Sequence, residues 1–168
     1  MIEFLFSDVD GVWNDDCYYY LENGSQMRKF STKDSAGLLL LNACNIQTLI
    51  LSGDNNNASR ERFQSLGVTG FYGIRNKGEF IRNWARDNNI SLTNIGYVGN
   101  DINDVSVFRL LHMTFAPMNT PDYVKKYVTN VFSEHPQPGD GYFRFVVEKY
   151  LESQDMLENA YDHIIEGF

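Results

Sequence analysis

At 168 residues the chain has the length of one ordinary domain, long enough to bury a core without disulfide or metal staples, and a single domain over residues 1–168 is expected. Hydrophobic residues at 43% and aromatics at 14%, against 21% charged, exclude a disordered chain. Fourteen Lys and Arg against 22 Asp and Glu leave a net charge of −8, which argues against nucleic acid and anionic membrane as partners and requires local cations for any anionic substrate.

The chain opens on a short apolar run at residues 2–6, and similar runs recur at 48–51, 69–72, 94–98 and 113–116. Buried strands of a parallel sheet read this way. Between them, residues 35–43, 57–66, 77–88 and 104–111 carry helical apolar spacing, so strand and helix alternate as in an α/β sheet with right-handed crossovers. One segment breaks the rhythm. Residues 17–21 and 26–30 flank Glu22-Asn-Gly-Ser25, and Asn-Gly between β-rich runs predicts a hairpin. Pro136, Pro138, Gly139 and Gly141 predict a loop, followed by a charged, amphipathic C-terminal helix or tail over 142–168. The first residues lack a basic stretch and a long apolar run, no segment approaches a membrane span, and Cys17 and Cys44 read as free thiols, so a cytoplasmic protein is expected.

Four strand ends carry chemistry. In Phe4-Leu-Phe-Ser-Asp-Val-Asp-Gly-Val12 two carboxylates, Asp8 and Asp10, follow an apolar strand, where open α/β sheets build their sites. Residues i and i+2 of an extended chain share a face, so the pair would repel unless a cation such as magnesium sat between them; the alternative is a turn or cap before Gly11. Leu49-Ile-Leu-Ser-Gly-Asp54 ends a second strand in the Ser52 hydroxyl and the Gly53 backbone, which suit a phosphate oxygen or a helix cap. Lys77, at the end of Gly73-Ile-Arg-Asn-Lys77, could bring positive charge to the same edge or lie solvated at the surface. In Ile95-Gly-Tyr-Val-Gly-Asn-Asp-Ile-Asn-Asp104 a strand runs into a polar cluster that suits a cation or a helix cap.

In this order the four elements resemble the haloacid dehalogenase-like phosphatases, whose pattern is DxD, then Ser or Thr, then Lys, then an acidic loop. The hairpin after Asp-Val-Asp-Gly-Val, the segment Phe30-Ser-Thr-Lys-Asp-Ser35 and Gly139-Asp-Gly-Tyr-Phe-Arg144 are similar to the capless branch that acts on octulosonate 8-phosphate and nonulosonate 9-phosphate. The resemblance implies a Rossmann-like parallel sheet with helices on both faces and a hairpin in place of a cap domain. It implies Asp8 as nucleophile, Asp10 as general acid and base, and Ser52 and Lys77 as holders of phosphoryl oxygens. Magnesium would be bound through Asp8, the Asp10 carbonyl and Asn100 or Asp101, with Asp104 as a further metal-site acid or an orienter of the ligands. It further implies a homotetramer, in which the hairpins assemble and one subunit's tail covers its neighbour's site. The substrate class implied is a small sugar or ulosonic acid phosphate of cell-surface carbohydrate biosynthesis.

Two positions depart from the family. Asn100 stands where an aspartate is usual, which predicts weaker magnesium binding and keeps open a catalytically weakened binding module. Asp54 replaces the arginine usual in octulosonate phosphatases and resembles the glutamate of nonulosonate phosphatases. A carboxylate there would favour hydroxyls or an amine, so a smaller phosphorylated polyol or amino alcohol is the alternative substrate. Gly53, Asp54, Lys33, Arg60 and Arg62 are the candidate substrate contacts. His112, His135 and His163 show no ligand spacing.

Overall fold

The computed structural model describes residues 1–132 and 136–167; His135 lies outside the described residues. In chain order the elements are β1 (Phe4–Ser7), a hairpin of β2 (Tyr19–Tyr20) and β3 (Gln26–Met27), α1 (Asp34–Ala43), β4 (Gln47–Leu51), α2 (Asn57–Ser65), β5 (Thr69–Phe71) and α3 (Lys77–Asp87). There follow β6 (Ile95–Val98), α4 (Val105–Phe108), β7 (Met113–Pro117), α5 (Asp122–Lys125), β8 (Asn130–Phe132), α6 (Tyr142–Ser153) and α7 (Leu157–Glu166). Six strands form one sheet in the order β5-β4-β1-β6-β7-β8, every pairing parallel. The α/β expectation holds, and the five predicted strands all form.

The sheet buries both faces because its central strands carry apolar residues at successive positions rather than only at alternate ones. Leu5, Ile50, Val98 and Phe115 point into one core with Leu40, Leu41, Phe63, Phe143, Val146, Val147 and Tyr150. Phe6, Leu49, Leu51, Tyr97 and Ala116 point into the other with Ile81, Ala85, Val107 and Phe108. The period of two along each strand thus divides the residues between two helical layers. α1 packs on α6 and α7, and α3 on α4. α3 begins where the Asn76 side chain accepts the Glu79 N–H at 3.2 Å and donates to the Glu79 carboxylate at 2.8 Å, a reciprocal cap.

Three expectations change. The predicted helix over 104–111 is a 3-10 turn at Ile102–Asp104 running into the four-residue α4. The C-terminal helix is two, because Asp155 takes a left-handed φ of 55° and the Met156 N–H bonds back to the Leu151 carbonyl at 2.9 Å, a Schellman-type stop. The predicted hairpin forms only two-residue strands, closed by Leu21 N–H donating to Ser25 at 2.9 Å, with Tyr18, Tyr20 and Met27 exposed. Among the described residues, no helix is long and apolar enough to cross a membrane.

Candidate active site

The sheet order reverses direction between β1 and β6, and open α/β sheets bind ligands beyond the carboxyl ends of the strands at such a point. Asp8 is the first residue after β1, and its N–H donates to the Val98 carbonyl at 2.8 Å, so it begins where β1 leaves β6. The chain then turns at once: Trp13 N–H reaches the Val9 carbonyl at 2.9 Å, and Val9, Val12 and Trp13 are buried. The Trp13 indole N–H donates to Ser7 Oγ at 2.9 Å, and its ring stacks on Phe143 at 4.0 Å. Gly11 at the apex has φ 71°, and a Cβ there would run into the Asn100 amide, so the turn lies directly against the loop after β6.

Under Asp8 lies a buried ionic knot. Lys77 Nζ is 2.6 Å from Asp8 Oδ2 and 2.7 Å from Asp104 Oδ1, and it donates to the Tyr97 hydroxyl at 3.2 Å. Lys77 and Asp104 are fully buried and Asp8 is 4% exposed. Burial pushes the Asp8 carboxyl up to about 7 against the pull of Lys77, and the Asp104 carboxylate adds to the rise. Asp8 and Asp104 together raise the Lys77 ammonium above its ordinary value, against the opposing effect of burial. Asp104 also receives the Tyr97 O–H on Oδ1 at 2.6 Å and the N–H groups of Asn100 and Asp101 on Oδ2 at 2.8 and 3.1 Å. Its lone pairs are therefore all engaged, which suits an orienter of the loop and leaves nothing for a metal ion.

A second cation enters from the hairpin side. Arg28 Nη1 bonds Asp10 Oδ1 and Nη2 bonds Asp54 Oδ2, while the guanidinium lies 4.3 Å from the Tyr18 ring centre. Asn14 donates to the same Asp10 Oδ1 at 2.6 Å and accepts the N–H groups of Gly11 and Asp16 at 3.2 and 2.9 Å. Although burial opposes it, hydrogen bonds from Asn56 and the Asn55 N–H, with the Arg28 charge, hold Asp54 below the usual carboxylate range.

These groups line a cavity of about 430 Å³ walled by Asp8, Asp10, Asp16, Asp54 and Asp101 with Ser52, Gly53, Asn100, Asn103, Tyr18 and Ile102. Of the expected residues, the fold gathers Asp8, Asp10, Ser52, Gly53, Asp54, Asn100 and Asp101 at the cavity, with Lys77 and Asp104 beneath it. It does not gather three. Lys33 forms an exposed pair with Asp140 at 3.4 Å, Arg60 bonds Asn55 and lies over the Tyr72 ring, and Arg62 donates to Ser35 Oγ at 3.2 Å. In the single chain each of these cations is held by a neighbouring side chain and none lines the cavity. The sequence marks neither Arg28, Asn14 nor Asp16 as a site residue and reads Tyr18 only as a hairpin aromatic that could pair between subunits; the polar run Asn14-Asp-Asp16 after Gly11 is a signal for Asn14 and Asp16. His112 and His163 are exposed.

Among the described residues, no three His, Cys, Asp or Glu side chains come together as a metal-holding group. What the cavity offers a cation is hard oxygen, with Asp8, Asp10 and Asn100 in its wall and the Asn100 amide against Gly11. That set suits magnesium, which keeps several waters and takes few protein ligands. The electrostatics suit it too, since five carboxylates face the cavity and burial disfavours ionised Asp8. Asp101 is exposed and occupied as a cap, its Oδ1 accepting the Ile102 N–H at 2.6 Å.

Comparison with known proteins agrees with this geometry. Residues 71–144 match the model of a haloacid dehalogenase-like hydrolase family. The 3-deoxy-D-manno-octulosonate 8-phosphate phosphatase of Haemophilus influenzae is 31% identical over 154 residues, which span 91% of this chain and 84% of that protein. The structure of the cobalt-bound deoxy-D-mannose-octulosonate 8-phosphate phosphatase from H. influenzae matches at a TM-score of 0.84 and 30% identity, over 93% of this chain and 91% of that one. The Moraxella catarrhalis 3-deoxy-D-manno-octulosonate 8-phosphate phosphatase, solved in complex with a magnesium ion, a phosphate ion and a KDO molecule, shares the fold at a TM-score of 0.89 and 22% identity, over 97% and 93% of the two chains. With a relative of that identity spanning nearly the whole sequence, the pocket at the β1–β6 switch point rests on kinship as well as geometry: the chain belongs to the haloacid dehalogenase-like hydrolases and is a phosphoric monoester hydrolase.

Proposed function

We propose that the chain is a magnesium-dependent phosphatase of a small sugar or ulosonic acid phosphate, working through an aspartyl phosphate on Asp8. The observation that carries this is the Asp8 carboxylate at the switch point, opening on a polar cavity on one side and paired with buried Lys77 at 2.6 Å on the other. The Asp8 carboxylate attacks phosphorus as the bond to the leaving oxygen breaks, and Asp10 gives that oxygen a proton. Asp10 then takes a proton from the water that attacks the aspartyl phosphate, which frees Asp8 and inorganic phosphate. Ser52 and the Gly53 N–H hold phosphoryl oxygens, and Lys77 joins them by exchanging its bond to the Tyr97 hydroxyl for one to a phosphoryl oxygen, stabilising charge as it shifts. Magnesium, when bound, neutralises charge between the carboxylate nucleophile and the phosphate. Asp8, the Asp10 carbonyl and Asn100 would hold it, with Asp101 the alternative to Asn100 and Asp104 orienting the loop.

The names of the relatives support a substrate of the octulosonate 8-phosphate type and a place in cell-surface carbohydrate synthesis. Asp54, whose side chain is 35% exposed at the cavity wall, supports a partner hydroxyl or amine and so keeps nonulosonate phosphates and smaller amino alcohol phosphates as the second reading. We further propose that residues 1–168 act as one domain in a homotetramer, supported by the exposed Tyr18, Tyr20, Leu21 and Met27 of a hairpin too short to bury its own faces. The free thiols of exposed Cys17 and half-buried Cys44 support a cytoplasmic location.

Phosphate release from 3-deoxy-D-manno-octulosonate 8-phosphate, a nonulosonate 9-phosphate and phosphoethanolamine, with magnesium or with a chelator, tests the reading. Saturable, magnesium-dependent release by the wild type and none by Asp8→Asn is expected. Release that survives in Asp8→Asn, or none from any of the three by the wild type, would overturn it.

A further inference from the structure

The hairpin strands are exposed on both faces, yet the side chain of Arg28, which follows β3 directly, is only 2% exposed. Its guanidinium is fixed on three sides, by Asp54, by the Tyr18 ring and by Asp10. An arginine so enclosed does not reach the cavity itself and can affect the reaction only through the groups it holds. The decisive detail is where it holds Asp10. Arg28 and Asn14 both donate to Oδ1, and among the described residues none donates to Oδ2. Two donors on one oxygen fix the rotation of the carboxylate and leave the other oxygen as the place where a proton can sit.

We propose that Arg28 is a positioning residue for the acid step, aiming Asp10 Oδ2 at the leaving oxygen of the substrate. This rests on the reading of Asp10 as the proton donor. In that step the Asp8 oxygen forms its bond to phosphorus, the bond from phosphorus to the leaving oxygen breaks, and the proton on Asp10 Oδ2 passes to that oxygen. Without Arg28, Asp10 keeps only the Asn14 contact and turns more freely. The effect is confined to leaving groups that need a proton: an alkoxide does, a nitrophenolate does not. The hairpin is thereby a part of the catalytic apparatus, and its Arg28 brace also offsets the Asp54 charge that faces the cavity.

The experiment compares kcat/KM, which stops at the first irreversible step, for 3-deoxy-D-manno-octulosonate 8-phosphate and for p-nitrophenyl phosphate. Proton donation is worth roughly 10²–10⁴-fold, so partial loss of aim in Arg28→Ala is expected to cost the sugar ester on the order of 30-fold and the aryl ester about threefold. Arg28→Lys, which keeps a cation and a donor, is expected to recover much of the selective loss. Asp10→Asn is expected to show the same selectivity more strongly. An equal loss on both esters, or no loss on either, in both Arg28→Ala and Arg28→Lys would overturn the proposal and make Arg28 a structural strut. If Asp10→Asn itself struck both esters equally, the reading of Asp10 as acid would fail and take the proposal with it; if Asp10→Asn were selective and the Arg28 variants were not, the proposal alone would fail.

Discussion

The site contains two cations, each set between two carboxylates, and the two arrangements have opposite origins. Lys77 lies in the sheet's own core, at the start of α3, with Asp8 from the end of β1 and Asp104 from the loop after β6. Arg28 reaches in from an exposed two-stranded hairpin to Asp10 and Asp54. The first is a property of the fold: strand ends of a parallel sheet converge, and whatever they carry must be neutralised there because water is excluded. The second is an addition to the fold, anchored at its far end only by a short hairpin. On the proposed function, the difference separates what holds Asp8 in place from what directs the Asp10 proton.

The strongest way to break this comparison is to remove Lys77. Lys77→Met has similar bulk but leaves Asp8 and Asp104 buried without a cation. Breaking one side of a buried ion pair costs about 3–5 kcal/mol, and loss of a charge-stabilising donor costs on the order of 10³-fold in rate. Urea titration and phosphate-release assays of the variant should show both losses. A variant with wild-type stability would mean that Asp8 and Asp104 do not depend on Lys77, and the contrast with Arg28 would collapse. The hairpin side should behave otherwise: Arg28→Ala is expected to unfold close to the wild-type midpoint, because its anchor is peripheral.

The Lys77 arrangement was legible in the sequence and the Arg28 arrangement was not, for a physical reason. Buried parallel strands read as apolar runs, and the polar residue that ends each run marks the sheet edge, so Asp8, Ser52 and Asn100 could be placed on one line. Lys77 stands at the start of the helix after the next strand, at the end of the loop Gly73-Ile-Arg-Asn-Lys77, which brings it to the same edge. Arg28 meets Asp10 and Asp54 across 18 and 26 residues of chain, through the path of a hairpin whose strands are two residues long. No periodicity records that path. Arg60 and Arg62 were nominated because they follow the second motif, but on α2 the buried positions are Ser59 and Phe63, and the arginines turn to Asn55 and Ser35 instead. The edge strand β8 and the four-residue α5 are not legible because three or four residues carry no readable period.

A third carboxylate sharpens the comparison by having no cation in contact. Asp34 is fully buried at the start of α1, where it accepts the Arg144 N–H at 3.1 Å and so joins α1 to the start of α6, while among the described residues no hydrogen bond within normal length reaches its Oδ2. Burial raises its carboxyl to about 6, although backbone N–H groups of Arg144, Phe143 and Gly141 oppose the rise. A folded value above the unfolded 3.8 means that the stability is present below about pH 4 and lost as pH rises through about 6. At roughly 1.4 kcal/mol per unit the loss is about 3 kcal/mol. Asp34→Asn keeps an acceptor for the Arg144 N–H and cannot ionise. The difference in urea midpoint between variant and wild type should therefore move in favour of the variant from pH 4 to pH 7, with Asp8 common to both. A difference that stays constant with pH would show that the N–H groups around Asp34 already compensate its burial.

The smallest expected effect concerns the residue that lies between the two arrangements. The Asn100 N–H is held by Asp104, so its backbone belongs to the Lys77 side, while its amide lies over Gly11 and 3.4 Å from Asp16, on the side of Asp10 and Arg28. Asn100→Asp keeps the shape and adds a charge beside Asp16, whose carboxyl is already raised by burial and by Asp10 and Asp101. Without metal the new carboxylate adds repulsion to a cavity that already holds five, and with magnesium it adds attraction. The magnesium concentration for half-maximal activity should therefore fall about tenfold, equivalent to roughly 1.4 kcal/mol, while the thermal midpoint in chelator falls and recovers on adding the ion. An unchanged magnesium requirement would mean that the ion takes its oxygen from Asp101 instead. That outcome would require the Asp101 side chain to give up its bond to the Ile102 N–H, which makes Asp101→Asn, measured for the same magnesium dependence, the direct check.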